Sequence, residues 1–289
     1  MPVMPETVSQ LTAPNLRLEA ANGVTYAYRR FGTRSTGALP LVCLMHYRGN
    51  LDNWDPTLVD TIATQREVIL VDNAGVGGST GTVPSTMAQM ARDAIAFIDA
   101  LGLRTVDLLG FSIGGMVAQE VALIRPYVVR RLILAGTCPQ GGEDMHAFAD
   151  GPVREAALKD ATGPEDLLTL FFERTASSQA KGREFIGRIS SREKDRDRPT
   201  DLATRDAQLN ARSEWGIPDP TRLNRLAGIA QPTLVANGDN DVMEPTKNSY
   251  LLARHVPNAR LSIYPDAGHG FLFQYPAEFG AEVNAFLGT

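Results

Sequence analysis

The chain has 289 residues, 43% of them hydrophobic and 21% charged, a balance that lets a globular protein bury a sizeable core. A formal charge of −5 offers no basic surface for phosphate and speaks against nucleic acid as a partner. Residues 1–14 lack the basic and apolar regions of a leader, and no run of roughly 18 apolar residues could cross a bilayer, so the expectation is a cytoplasmic protein that does not enter membranes.

In chain order, residues 16–31 alternate around Asn22-Gly23 and predict an opening antiparallel hairpin. Apolar runs then recur at 40–46 (PLVCLMH), 67–73 (EVILVDN), 106–111 (VDLLGF), 131–135 (RLILA), 232–237 (PTLVAN) and 260–264 (RLSIY). Continuous apolar runs of this length suit strands buried on both faces of a parallel sheet. Amphipathic segments alternate with them: 85–101 with Ser85 as N-cap and Gly102 as stop, 113–124 ended by Arg125-Pro126, and a terminal helix over 276–287. Cys43 and Cys138 lie in or just after two of the strand runs and read as small buried hydrophobes, with no metal-ligand spacing. Strand–helix alternation without repeats predicts the α/β class: a doubly wound, mostly parallel sheet of eight strands, the hairpin included.

The rhythm breaks between residues 141 and 220. No strand-like run occurs there; helical signals cover 153–159, 165–174 and 200–215, and charges crowd 191–201 (SREKDRDRPTD). The expected organisation is therefore a core over 15–140 and 221–289 with a helical cap insertion over 141–220. The charge run reads as a solvated surface.

The chemistry gathers at strand ends. Gly110-Phe111-Ser112-Ile113-Gly114 follows a strand and opens a helix, the context in which G-x-S-x-G forms a tight turn presenting a nucleophilic serine at the carboxyl edge of the sheet. A serine hydroxyl needs a base. Of the four histidines, His269 follows the last predicted strand between two glycines, His255 lies near a helix end, His146 lies in the insertion and His46 follows the first parallel strand. The base needs an acid to fix its tautomer, and Gly238-Asp239-Asn240-Asp241 offers two; spacing alone leaves Asp239 and Asp241 both open.

Elbow serine, acid after a late strand and histidine after the last strand, in that order, resemble the α/β-hydrolase fold family, in its serine hydrolase and esterase branch. The resemblance covers most of the chain from Leu16 onward, with the insertion in the place of the family's variable cap. It implies Asp241 as the acid, the last residue of a G-x-x-D turn. Asp72-Asn73-Ala74-Gly75-Val76-Gly77-Gly78-Ser79 resembles the family's D-x-x-G-x-G-x-S segment, which implies a structural role beside the site. The resemblance also implies an oxyanion hole of two backbone N–H groups. One is that of Ile113. The other belongs to a loop that in the family reads H-G-x and here reads Met45-His46-Tyr47-Arg48-Gly49, a departure from the pattern. Ungapped alignment makes Tyr47 the donor; a one-residue shift makes it Arg48, and the ungapped reading is favoured. His46, Arg48 and Trp215 are candidate pocket residues, with a loop-orienting role weighed above a catalytic one for His46. Phe148, Phe171, Phe172 and Phe185 could line an apolar pocket.

The implied activity is cleavage of an ester-type bond, carboxylic ester or lactone, of a small molecule through an acyl-enzyme, with no metal or organic cofactor. A C–C bond hydrolase or perhydrolase would use the same triad, although the proline usual in the perhydrolase loop does not follow His46. Ser112 speaks against dehalogenases and epoxide hydrolases, which carry a carboxylate at the elbow. A non-catalytic small-molecule receptor on this fold is the reading from another class, and the sequence is compatible with a homo-oligomer.

Overall fold

The structure, a computed structural model, describes residues 8–34 and 37–288; residues 1–7, half of the stretch read as lacking a leader, lie outside it. Eight strands form one sheet: β1 (Leu16–Glu19), β2 (Thr25–Gly32), β3 (Leu41–Leu44), β4 (Glu67–Val71), β5 (Val106–Phe111), β6 (Val129–Ala135), β7 (Thr233–Gly238) and β8 (Ala259–Tyr264). Their order is β1-β2-β4-β3-β5-β6-β7-β8. The hairpin β1–β2 is antiparallel and β2 meets β4 antiparallel; every later pairing is parallel. Strands β3, β4, β5 and β7 are buried along their whole length, as their unbroken apolar runs require.

Helices α1 (Pro56–Ala63), α2 (Met87–Ala100), α3 (Ile113–Ile124), α8 (Lys247–His255), α9 (Phe271–Gln274) and α10 (Pro276–Gly288) flank this sheet. Helix α2 begins one residue later than the sequence suggests: its N-cap is Thr86, whose Oγ1 accepts from the Gln89 N–H, not Ser85. Cys43 and Cys138 are free and fully buried. Among the described residues no helix is long and apolar enough to cross a membrane.

Between β6 and β7 lie α4 (Pro152–Leu158), α5 (Pro164–Phe171), α6 (Ala176–Ser190) and α7 (Leu202–Trp215). Most of the loop joining α6 to α7 is the expected solvated surface, with Glu193, Lys194, Asp195, Arg196 and Arg198 exposed, but two of its residues reach the core. Arg192 is buried and donates to the carbonyls of Gln10, Leu11 and Ala13, and the Asp197 N–H donates to Asp52, whose other carboxylate oxygen holds the buried Arg29 at 2.5 Å. These contacts fasten the segment to the core while most of its charges face water. From α6, Arg188 grips the buried Asp55 carboxylate at 2.6 Å and the Phe273 carbonyl at 2.9 Å.

The chain leaves β3 for β4 on one side and crosses to β5 on the other, so the sheet has its switch point between β3 and β5. A crevice opens there at the carboxyl ends of open α/β sheets. The loop after β3 and the turn after β5 bound it.

Candidate active site

The turn after β5 is built on close backbone approach. A Cβ on Gly110 would strike the Gly114 carbonyl, and one on Gly114 would strike the carbonyl of Leu44 at the end of β3. Gly114→Ala is therefore expected to destabilise the fold by about 1–3 kcal/mol, because backbone cannot yield as a side chain can, and a melting temperature equal to the parent's would contradict this. Ser112 occupies the turn at φ 59° and ψ −123°, a strained conformation for a residue with a side chain. Its N–H donates to the Ala135 carbonyl at 2.9 Å, and its carbonyl accepts from the Thr137 hydroxyl at 2.8 Å. As first residue of α3, Ile113 has a backbone N–H that no carbonyl within the helix can satisfy.

Beyond β7, Asp241 is buried and its carboxylate is divided between two tasks. Oδ1 accepts from the N–H groups of Met243 and Glu244 at 2.8 and 2.9 Å. Oδ2 accepts from Nδ1–H of His269 at 2.8 Å, in a pair shielded from solvent on both sides. Asp239 does something else: its carboxylate accepts from the Asp266 and Ala267 N–H groups and shapes the turn before His269. The imidazole of His269 packs on Phe111 and Phe171, and its Nε2 is buried with no protein hydrogen-bond partner. Ser112 and His269 line one cavity of about 310 Å³.

The loop after β3 forms a second wall. Tyr47 and Arg48 both line the cavity, and Arg48 stands at φ 61°. No described residue accepts from the Tyr47 N–H, whereas the Arg48 N–H is occupied, donating at 2.6 Å to Oε1 of the buried Gln208. The Arg48 carbonyl accepts from the Thr200 hydroxyl at 3.1 Å, and its guanidinium donates to the Lys159 and Asp160 carbonyls at 2.6 and 2.7 Å. All these partners belong to the insertion, so the guanidinium acts as a strut between loop and insertion. Gln208 and Thr200 carry no motif by which the sequence could single them out.

His46 also lines the cavity. Its Nδ1 donates to the Tyr47 carbonyl at 2.8 Å, and burial pushes its pKa down to about 4. Trp215 is not among the cavity residues: it is buried in the core and its indole N–H donates to the Cys138 carbonyl at 3.3 Å. Of the four phenylalanines, only Phe171 reaches the cavity; Phe148 lies under the Arg212 guanidinium and Phe185 stacks on Phe273. His146 is exposed and away from the cavity, bonded to the Ser213 carbonyl.

Asp72 ties the neighbouring loops together. Its carboxylate accepts from the Leu51 and Gly78 N–H groups, and its carbonyl accepts from the Ser79 hydroxyl. Burial, with Asp197 close by, holds its carboxyl well above the usual range.

Residues 40–276 match the family model of the α/β-hydrolase fold. A solved α/β-hydrolase fold protein from Chitinophaga pinensis is 41% identical and superposes with a TM-score of 0.90, covering 97% of this chain and 99% of its own. A protein of Azorhizobium caulinodans named "Putative carbamate hydrolase RutD" is 30% identical, over 86% of this chain and 91% of the relative. The pimeloyl-[acyl-carrier protein] methyl ester esterase of Nitrosomonas europaea is 28% identical, over 85% and 94%. With an eight-stranded sheet of this order and a family match across most of its length, the chain belongs to the α/β-hydrolase fold family and is a hydrolase.

Proposed function

We propose that this hydrolase cleaves an ester-type bond of a small molecule through an acyl-enzyme on Ser112. The buried 2.8 Å contact of His269 Nδ1 with Asp241 Oδ2, beside a cavity shared with Ser112, carries the reading. Nδ1 must bear hydrogen to face a carboxylate, which leaves the Nε2 lone pair to take the serine proton. Ser112 Oγ then attacks the carbonyl carbon, and its proton passes to Nε2. The tetrahedral intermediate collapses as that proton is delivered to the leaving alkoxide. Water repeats the sequence in reverse, giving up a proton to Nε2 and releasing the acid. The N–H groups of Ile113 and Tyr47 receive the oxyanion. The esterase among the relatives is compatible with this chemistry, and the carbamate relative extends it to a carbonyl bearing nitrogen.

The test is a fluorophosphonate probe followed by hydrolysis of p-nitrophenyl esters of graded chain length and of lactones. A covalent adduct on Ser112 with turnover is expected. A folded protein that forms no adduct would overturn the acyl-enzyme on Ser112.

Gln208 acts at one remove as a positioning residue. Gln208→Leu removes the acceptor that pins the turn behind Tyr47, and kcat is expected to fall by about 10- to 100-fold, less than for outright loss of an oxyanion donor. KM should move far less. Affinity for a boronic acid that mimics the tetrahedral state should fall in step with kcat, and Gln208→Glu, which keeps the acceptor, should restore part of both. An unchanged boronate affinity would remove Gln208 from this role.

A further inference from the structure

Two imidazoles face the same aromatic pair. His269 packs on Phe111 and Phe171 with ring centroids 4.9 and 5.5 Å away, and His46 packs on the same two rings at 5.4 and 5.0 Å. In both, Nδ1 is engaged, by Asp241 in one and by the Tyr47 carbonyl in the other. In both, Nε2 is buried without a protein partner. The proposed mechanism gives the His269 lone pair its donor, the Ser112 hydroxyl. It gives the His46 lone pair none.

The state of His46 is fixed by its surroundings. A carbonyl oxygen can only accept, so Nδ1 carries the hydrogen and Nε2 is a bare acceptor. Burial, reinforced by the nearby His269, disfavours protonation of the ring, while the Tyr47 carbonyl opposes this only partly. His46 is 5% exposed, and Gly49 leaves the room in which the edge carrying Cε1 and Nε2 sits. A buried acceptor left unmatched is costly, and a site built around one discriminates strongly against ligands that lack the matching donor.

We propose that His46 Nε2 accepts a hydrogen bond from the substrate, so that the preferred substrates carry a hydroxyl or N–H donor close to the scissile carbonyl. The position follows from the chain: His46 immediately precedes Tyr47, the proposed oxyanion donor, and shares its aromatic neighbours with the proposed base. Simple alkyl esters would leave Nε2 unmatched. This inference rests on the serine hydrolase reading, and it makes His46 a specificity-determining residue where the proton relay has no need of it.

Matched esters test it. One pair places the donor on the acyl side, methyl 2-hydroxypropanoate against methyl 2-fluoropropanoate. The other places it on the alcohol side, 2-hydroxyethyl butanoate against 2-fluoroethyl butanoate. Fluorine approximates the hydroxyl in size and donates nothing; its inductive pull is stronger, so each enzymatic rate is divided by that ester's rate of hydrolysis by hydroxide. In one pair at least, kcat/KM is expected to favour the hydroxyl ester by about 10- to 100-fold, the scale of an unmatched buried acceptor. His46→Phe should erase that ratio chiefly by slowing the hydroxyl ester. His46→Gln, smaller and still holding an acceptor, should retain part of it. If both esters of a pair slow equally in both variants while the ratio persists, His46 is structural and the proposal fails. Ratios near one in both pairs for the parent enzyme overturn it without any variant. Those outcomes come with turnover and a fluorophosphonate adduct on Ser112. Absence of both would overturn the hydrolase mechanism itself, and this inference with it.

Discussion

Replacing Ser112 with alanine is expected to lower kcat by about a million-fold while leaving the fold intact. The hydroxyl makes none of the hydrogen bonds that hold the turn: the backbone N–H and carbonyl of Ser112 make them, with Ala135 and Thr137. Alanine keeps both, and its methyl occupies space the serine Cβ already has. Binding and the oxyanion site would survive, so KM should change little. Steady-state rates on the best p-nitrophenyl ester, with circular dichroism as the control for folding, provide the measurement. Activity near that of the parent enzyme would remove Ser112 from the mechanism.

The second large effect is that of Asp241→Asn, expected to lower kcat by about ten-thousand-fold. The reason lies in the other oxygen. Oδ1 accepts from two backbone N–H groups, those of Met243 and Glu244. An asparagine must therefore keep its oxygen on that side and turn its NH2 group toward His269. Nδ1 would then have to accept, moving the ring hydrogen to Nε2, where it cannot take a proton from Ser112. The side-chain volume is nearly unchanged, so the melting temperature should fall only modestly. A loss of less than about tenfold would mean that the imidazole is oriented by something else.

The architecture was legible where local chemistry and tertiary demand coincide. Strands β3, β4, β5 and β7 are apolar because the sheet buries them, and glycines at 110 and 114 signal backbone contact that nothing larger permits. Helix α6 shows the converse. Ala176–Ser190 is polar, holds Gly182 and Gly187, and buries little beyond Phe185 and Ile189, so its periodicity is too faint to announce a helix. Most charges in 191–201 face water as their composition suggests, yet composition cannot single out Arg192, whose guanidinium gathers three backbone carbonyls. Trp215 misleads for a related reason: a large aromatic near the end of an insertion looks like a pocket wall, yet its indole N–H is spent on a core carbonyl. The link from Gln208 to Arg48 spans 160 residues and depends on a single amide, so nothing short of the fold could reveal it.

That link bears on how such enzymes can be altered. Insertions over an α/β core invite exchange between relatives, on the view that they carry recognition while the core carries reactivity. Here the left-handed turn at Arg48 takes its support from Gln208, Thr200 and the carbonyls of Lys159 and Asp160. A graft that supplied a different roof without these contacts would free the turn beside Tyr47, and a chimera made to change preference would lose rate on every substrate at once.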